Sequence, residues 1–162
     1  MSSRHVLSIL VENKPGVLQR VTGLISRRGF NIDSLSVGPT EDPSMSRITV
    51  VVTADAVAFE QITKQLNKLI SVYKITDLTR DGAIERELVL IKVSATPDRR
   101  SEIVEVANIF RANIVDVGRD LLTIEVTGDE GKVRGLEDLL RSYGIKEIIR
   151  TGKIAMSRNA KE

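Results

Sequence analysis

Arg4–Ile32 reads RHVLSILVENKPGVLQRVTGLISRRGFNI, and its pattern returns 82 residues later as RELVLIKVSATPDRRSEIVEVANIFRANI over Arg86–Ile114. Leu7, Ile9 and Val11 fall on Val89, Ile91 and Val93, and Pro15 falls on Pro97. Val21 and Leu24 fall on Ile103 and Val106, and Asn31-Ile32 on Asn113-Ile114. A repeat of this period means two copies of one folding unit, each about 75–80 residues long. Domains that small are marginal alone, so association with each other or with a second chain is expected.

Each copy reads outward from that stretch. In the first, Arg4–Val11 is a buried strand, and Pro15 pre-sets a helix carrying Val17, Leu18, Val21, Leu24 and Ile25 at helical spacing. Arg27 and Arg28 suit the negative end of that helix, and Gly29 its left-handed cap. Asn31–Gly38 and Arg47–Thr53 read as strands around a turn-rich loop, Pro39–Ser46. Asp55 caps a second helix with Phe59, Ile62, Leu66 and Leu69 on one stripe, and Val72–Leu78 closes the copy as a strand. The second copy gives strand Glu87–Val93, helix Asp98–Arg111 and a short hairpin of Asn113–Val117 with Leu121–Thr127. Helix Glu130–Tyr143 and strand Ile145–Ile149 follow. Past the hairpin the offset falls from 82 to 74, so the first hairpin is 8 residues longer, and the excess is assigned to the Thr40–Ser46 loop.

The order βαββαβ, given twice, predicts an α+β protein of two ferredoxin-like domains. Each is a four-stranded antiparallel sheet with two helices on one face. The expected division is residues 1–78, a linker over 79–83, and residues 84–162. Leu7, Ile9, Val11, Ile48, Val50 and Val52 should face the helices. Val6, Leu10 and Val51 then lie on the open face and call for a covering partner. The edge strand Leu35–Gly38 carries no charge, which invites pairing with a second chain.

Composition excludes several functions. The 162-residue chain has no Cys, which removes disulfides, thiol nucleophiles, thiolate metal sites and Cys-pair copper carriers. Formal net charge is +2 with both signs interspersed, so no basic stripe marks a nucleic-acid surface. RNA-recognition modules of the same strand order stack bases on aromatics of the central strands, and Val6–Val11 and Arg47–Thr53 contain none. The single histidine, His5, lacks partners at metal or acid–base spacing, and no phosphate loop or dinucleotide fingerprint occurs. Arg27-Arg28 and Arg99-Arg100 are helix-end charges. The Lys161-Glu162 end reads as frayed tail. The apolar run Val6–Val11 is too short for a signal sequence, and no stretch could span a bilayer, so a cytoplasmic setting is expected.

One constellation stands out at the first strand-to-helix corner. Asn13-Lys14-Pro15-Gly16 precedes the helix, and Gly16 leaves room for a ligand to reach the free N–H groups beyond it. Those donors and the positive end of the helix dipole favour a carboxylate. In the second copy Asp98 takes the place of Gly16 and would repel an anion. Asn13 and Asn31 offer amides, the fold being expected to bring Asn31 to the same corner, and Val17, Leu18 and Ile32 an apolar wall. The set describes a site for a small amino acid, while Asn-Lys-Pro-Gly is equally a good turn.

The unit with this glycine turn resembles the ACT domain. Three segments bring it closer to the small regulatory subunits of acetolactate synthase: Val11–Leu18, Arg28–Val37 with its Phe30-Asn31-Ile32-Asp33-Ser34 core, and Asp42-Pro43-Ser44-Met45-Ser46-Arg47. Leu88–Val93 opens the second half in the same manner, so the resemblance spans nearly the whole chain. It implies a chain without catalytic activity that binds a large catalytic subunit carrying thiamine diphosphate, Mg²⁺ and FAD. It further implies activation of that subunit, feedback inhibition by valine or a related branched-chain amino acid, and a homodimer formed through sheet edges of the N-terminal domain. Family ligand positions fall on Asn13, Gly16, Val17, Leu18, Asn31 and Ile32, between the first helix of one chain and the second strand of the other. A free-standing amino-acid-binding regulator of another target is the alternative, and neither a membrane nor a nucleic-acid partner is implied.

Overall fold

A computed structural model describes residues 1–79 and 82–158. Arg80 and Asp81 of the expected linker, and the Lys161-Glu162 end, lie outside the described residues. The chain forms two compact units, residues 1–84 with 153 onward, and residues 85–152.

The first unit runs β1 (Ser3–Glu12), α1 (Val17–Arg27), β2 (Ile32–Pro39), β3 (Met45–Ala54), α2 (Ala56–Asn67) and β4 (Val72–Asp77). Its antiparallel sheet has the order β2-β3-β1-β4. Alternation along β1 sends Leu7, Ile9 and Val11 to the helix side, where they meet Ile48, Val50 and Val52 of β3. Val17, Val21 and Ile25 of α1 and Ile62 and Leu66 of α2 close this core. Each such fully buried aliphatic side chain contributes about 1.5–3 kcal/mol relative to exposure. Asp55 caps α2 by accepting from Ala58 N–H at 2.7 Å. His5 stacks on Phe59 with ring centroids 3.9 Å apart, and its Nε2 lies 3.1 Å from the Ala54 carbonyl, which makes it a packing residue.

Part of the open face of this sheet is covered by the chain itself. Val6 and Val51 are buried there with Leu78, and Ala83 and Ala155 pack on them. Lys153 N–H donates to Ser34 Oγ at 2.8 Å. Residues from Lys153, including a short strand β9 (Ile154–Met156), therefore belong to the first unit rather than to the second domain as expected. Of the three apolar residues that called for a covering partner, Val6 and Val51 are covered by Ala83 and Ala155 of their own chain, whereas the half-buried Leu10 lies outside that cluster.

The second unit contains β5 (Ile84–Ser94, from Glu85), α3 (Arg100–Ile109), β6 (Asn113–Val117), β7 (Leu121–Gly128), α4 (Glu130–Arg141) and β8 (Ile145–Arg150). Strand order β6-β7-β5-β8 repeats that of the first unit. Val89, Ile91, Val93, Ile103, Leu122, Ile124, Leu136 and Leu140 build an aliphatic core of the same design. Glu87 and Glu137 are the buried charges, and Arg150 joins them at 3.6 and 2.7 Å.

The two hairpins differ in a way the offset only partly conveys. Ser36–Pro39 of β2 pairs with Ser46–Thr49 of β3, whereas β6 stops at Val117. Most of the additional residues lengthen the ladder, and the connecting loop itself is only Thr40–Ser44.

Candidate functional site

The corner at the end of β1 is built by backbone geometry. Gly16 has φ 86°, a left-handed conformation that an L side chain rarely adopts, and a Cβ placed there would meet nothing within 4 Å. The helix accordingly begins at Val17, after Gly16, and Pro15 stands in the turn before it. No side chain caps α1 and its first turn holds no acid. Val17 N–H makes a long bond to Lys14 O at 3.4 Å, and Arg20 N–H takes Gly16 O at 3.1 Å. The N–H groups of Leu18 and Gln19 have no carbonyl one turn earlier within the helix and remain as donors at an open corner. Lys14 folds back on Glu12 at 3.3 Å.

Asn13 is held from the hairpin side. Its N–H donates to Ser44 O at 2.8 Å, and its Nδ2 to Pro43 O at 3.0 Å. That leaves the amide oxygen as the available acceptor. The loop it leans on is itself tied by Asp42. Asp42 Oδ1 accepts from Ser44 N–H at 3.0 Å and from Ser44 Oγ at 2.7 Å, and these bonds hold its carboxyl below the usual carboxylate range. Asp42, Pro43 and Ser44 were legible as a turn, but nothing in the sequence tied them to Asn13.

The other expected residues separate. Val17 is 4% exposed and packs in the core at i, i+4 with Val21, so its side chain is no part of a ligand wall and only its N–H reaches the corner. Leu18 is 38% exposed and stands at the mouth. Ile32 is half-buried against the core, opposite Val52, whereas Glu12 beside Asn13 is opposite Met45. Those two register points are seven residues apart along β3, about 23 Å at 3.3 Å per residue. Asn31 therefore sits at the far end of the sheet from Asn13, not at the same corner of one chain. There its Nδ2 donates to Asp33 Oδ1 at 2.8 Å, and Thr53 Oγ1 donates to Asp33 Oδ2 at 2.6 Å.

Strand β2 connects these ends and forms the edge of the sheet, with Val37 49% exposed. Among the described residues no group of three His, Asp or Glu could hold a metal ion, and no helix is long and apolar enough to cross a membrane.

Comparison with known proteins bears on the same residues. Residues 7–74 match the family model for the AHAS small subunit-like ACT domain, and residues 86–159 match that for the small subunit of acetolactate synthase. A relative from Archaeoglobus fulgidus, described as a probable acetolactate synthase small subunit, is 58% identical over 98% of this chain and 99% of its own length. The acetolactate synthase small subunit of Mycobacterium bovis is 53% identical over 95% of this chain and 92% of its own. The crystal structure of the acetolactate synthase small subunit from Thermotoga maritima superposes with a TM-score of 0.86 at 42% identity, covering 98% of this chain and 99% of that one. With both halves matched in order and relatives of equal length, the chain belongs to the family of acetolactate synthase small subunits.

Proposed function

We propose that this chain activates a large catalytic subunit of acetolactate synthase and makes it sensitive to valine, which binds between two copies of the first unit. The observation that carries this reading is the register. The uncapped helix start and Asn13 lie at one end of an unguarded edge strand, and Asn31 and Ile32 lie at the other. Antiparallel pairing of two β2 edges about a two-fold near Leu35–Ser36 brings the Asn31 end of each strand to the Pro39–Thr40 end of its mate. Thr40 N–H already bonds Met45 O, beside Asn13. A dimer thus supplies both halves of a site that one chain holds apart.

In that site the N–H groups of Leu18 and Gln19 receive the valine carboxylate, favoured by the helix dipole. The Asn13 amide oxygen and Asn31 of the second copy serve the ammonium group. Leu18 and Ile32 meet the isopropyl group. Feedback requires that valine bind one state of the complex better than another, so the dimer must differ between the active and inhibited assemblies. Thiamine diphosphate, Mg²⁺ and FAD belong to the large subunit on this reading. Family membership favours it over a free-standing regulator of another target.

A thermal-shift titration of the full chain with valine, leucine, isoleucine and glutamate tests the site. Ligand at 100 times its Kd stabilises by about 2.7 kcal/mol, a measurable shift for domains of this size. Saturable stabilisation by valine and none by glutamate is expected. Equal response to all four, or to none in the presence of the large subunit, overturns it.

A further inference from the structure

The first unit already has roles for two of its surfaces. Its open sheet face carries the chain's own terminus, and its β2 edge is the pairing surface proposed above. The helix layer remains. Between α1 and α2 lie two adjoining hollows of about 400 and 350 Å³, which share Arg28 and Gln65 in their walls. Arg27, Arg28, Lys64 and Lys68 line them, with Gln61 and Gln65 between, and no carboxylate lines either. Glu60 pairs with Lys64 from the flank at 3.2 Å, which leaves the trough with a net positive charge.

Helix-end electrostatics account for a cation at the last turn of each helix, since Arg27 and Lys64 sit there. They do not account for four cations meeting in one trough. The second copy of the fold demonstrates this. The positions of Arg27, Arg28, Lys64 and Lys68 are taken there by Ile109, Phe110, Asp138 and Ser142. The cation of that helix end, Arg141, stands where the first copy has Asn67 and is paired with Asp138 at 3.6 Å. The fold therefore does not need the charges; the first copy alone carries them, at the cost of mutual repulsion.

We infer that the α1–α2 trough of the first unit is a docking surface for a carboxylate-rich segment of the large subunit, an inference that rests on the regulatory reading above. The form of the trough favours an extended acidic segment over a compact anion. It is open, its cations sit on flexible stems, and its lining residues lie in the later turns of α1 and α2, where backbone N–H groups are bonded within the helix and form no phosphate cradle. Salt-sensitive association through such a surface would set the on-rate and register of assembly.

The test measures the Kd of the full chain for the purified large subunit between about 50 and 300 mM KCl. The variants are Arg28→Glu/Lys68→Glu, the neutral Arg28→Gln/Lys68→Gln, and Lys146→Glu as a charge control on the second unit. Wild type should weaken by about ten-fold across that range, and the reversed pair by about thirty-fold at low salt with a flattened salt dependence. The neutral pair should fall between, and the control should match wild type. All variants should keep the valine-induced thermal shift, which reports an intact fold. A poly-glutamate peptide should compete, and inorganic pyrophosphate at equal charge should not. A reversed pair that binds as wild type does, or stronger competition by pyrophosphate, overturns the docking assignment and leaves the regulatory reading standing. Failure of wild type to bind the large subunit at any salt overturns both.

Discussion

The two strand-to-helix corners share a backbone bond, a proline and a helix start without a side-chain cap, and diverge in the groups around them. In the first, Asn13 N–H donates to Ser44 O at 2.8 Å; in the second, Ala95 N–H donates to Asp120 O at 2.8 Å. The first corner then opens, with a left-handed Gly16, a half-exposed Leu18 and an uncapped helix. The second is filled. Arg100, at the position of Leu18, turns its guanidinium onto the hairpin loop and donates to Gly118 O at 2.9 Å and Arg119 O at 2.5 Å. Asp98 stands where Gly16 was, its carboxyl held below the usual range chiefly by the Thr96 hydroxyl. Glu102 adds a second acid to the first turn. The two copies thus differ as an open corner, where we propose that a carboxylate binds, and a filled corner bordered by Asp98 and Glu102.

The largest expected effect comes from writing the second corner into the first. Gly16→Asp places a carboxylate at the helix start and an L side chain at φ 86°, which adds about 1–2 kcal/mol of backbone strain to charge repulsion. Valine binding should weaken by about 100-fold or more, about 2.7 kcal/mol or above. Activation of the reconstituted enzyme should persist. Retained valine inhibition in this variant would remove the helix start from the site.

The next comparison sets the two ends of β2 against each other. Val37→Lys places a charge on the exposed edge without touching either end. Sedimentation equilibrium should show the dimer weakened by about ten-fold or more, with valine affinity falling in parallel because the site needs both chains. Valine affinity that survives in a monomer would mean that one chain holds the whole site.

Arg100→Leu tests the closed corner in the opposite direction. It removes charged hydrogen bonds to two loop carbonyls, each worth about 1.5–3 kcal/mol, in a half-exposed setting that lessens the loss. Chemical denaturation should find the second unit less stable by about 1–3 kcal/mol. No gain of valine binding is expected there, since Asp98 and Glu102 still repel a carboxylate. An unchanged denaturation midpoint would deny Arg100 its role as a plug.

The sequence disclosed what depends on period and on local turn chemistry. The helix-facing sets Leu7–Ile9–Val11 and Val89–Ile91–Val93 follow from alternation, the caps Asp55 and Gly29 from their residue types, and the special corner from a single Gly-to-Asp difference. It misled wherever an answer depended on what lay opposite. Val17 belongs to both a turn motif and a core stripe, and burial favours the stripe. Asn31 is expected at the corner of Asn13, whereas strand register places the two at opposite ends of β3. The coverage of Val6 and Val51 by Ala155 could not be read from periodicity, because the three residues Ile154–Met156 are too few to show a period. The plug was also hidden: Arg100 resembles any helix-start cation until the carbonyls of Gly118 and Arg119 are seen around it.

The smallest effect separates the two corners by pH. In the first, Asp42 ties the loop that holds Asn13, accepting from Ser44 N–H and Oγ. Its folded carboxyl is depressed relative to the unfolded chain, so the tie is fully present above the unfolded carboxylate range and is lost as pH falls through the lower folded value. The group is exposed, so global stability should scarcely move, while the local bond should. The Ser44 amide proton shift should titrate with a midpoint below the ordinary Asp range. Valine affinity should fall over the same window as Asn13 loses its support. Asp42→Asn should remove the titration and leave Asn13 with a weaker but pH-independent loop. The second corner has an acid of the same direction in Asp98, but its loop is held by the Arg100 guanidinium rather than by a carboxylate. The Gly118 amide, bonded to Leu121 O at 2.8 Å, should therefore move less through the acid range than the Ser44 amide, and equal movement would show that both corners respond to a general acid transition rather than to Asp42.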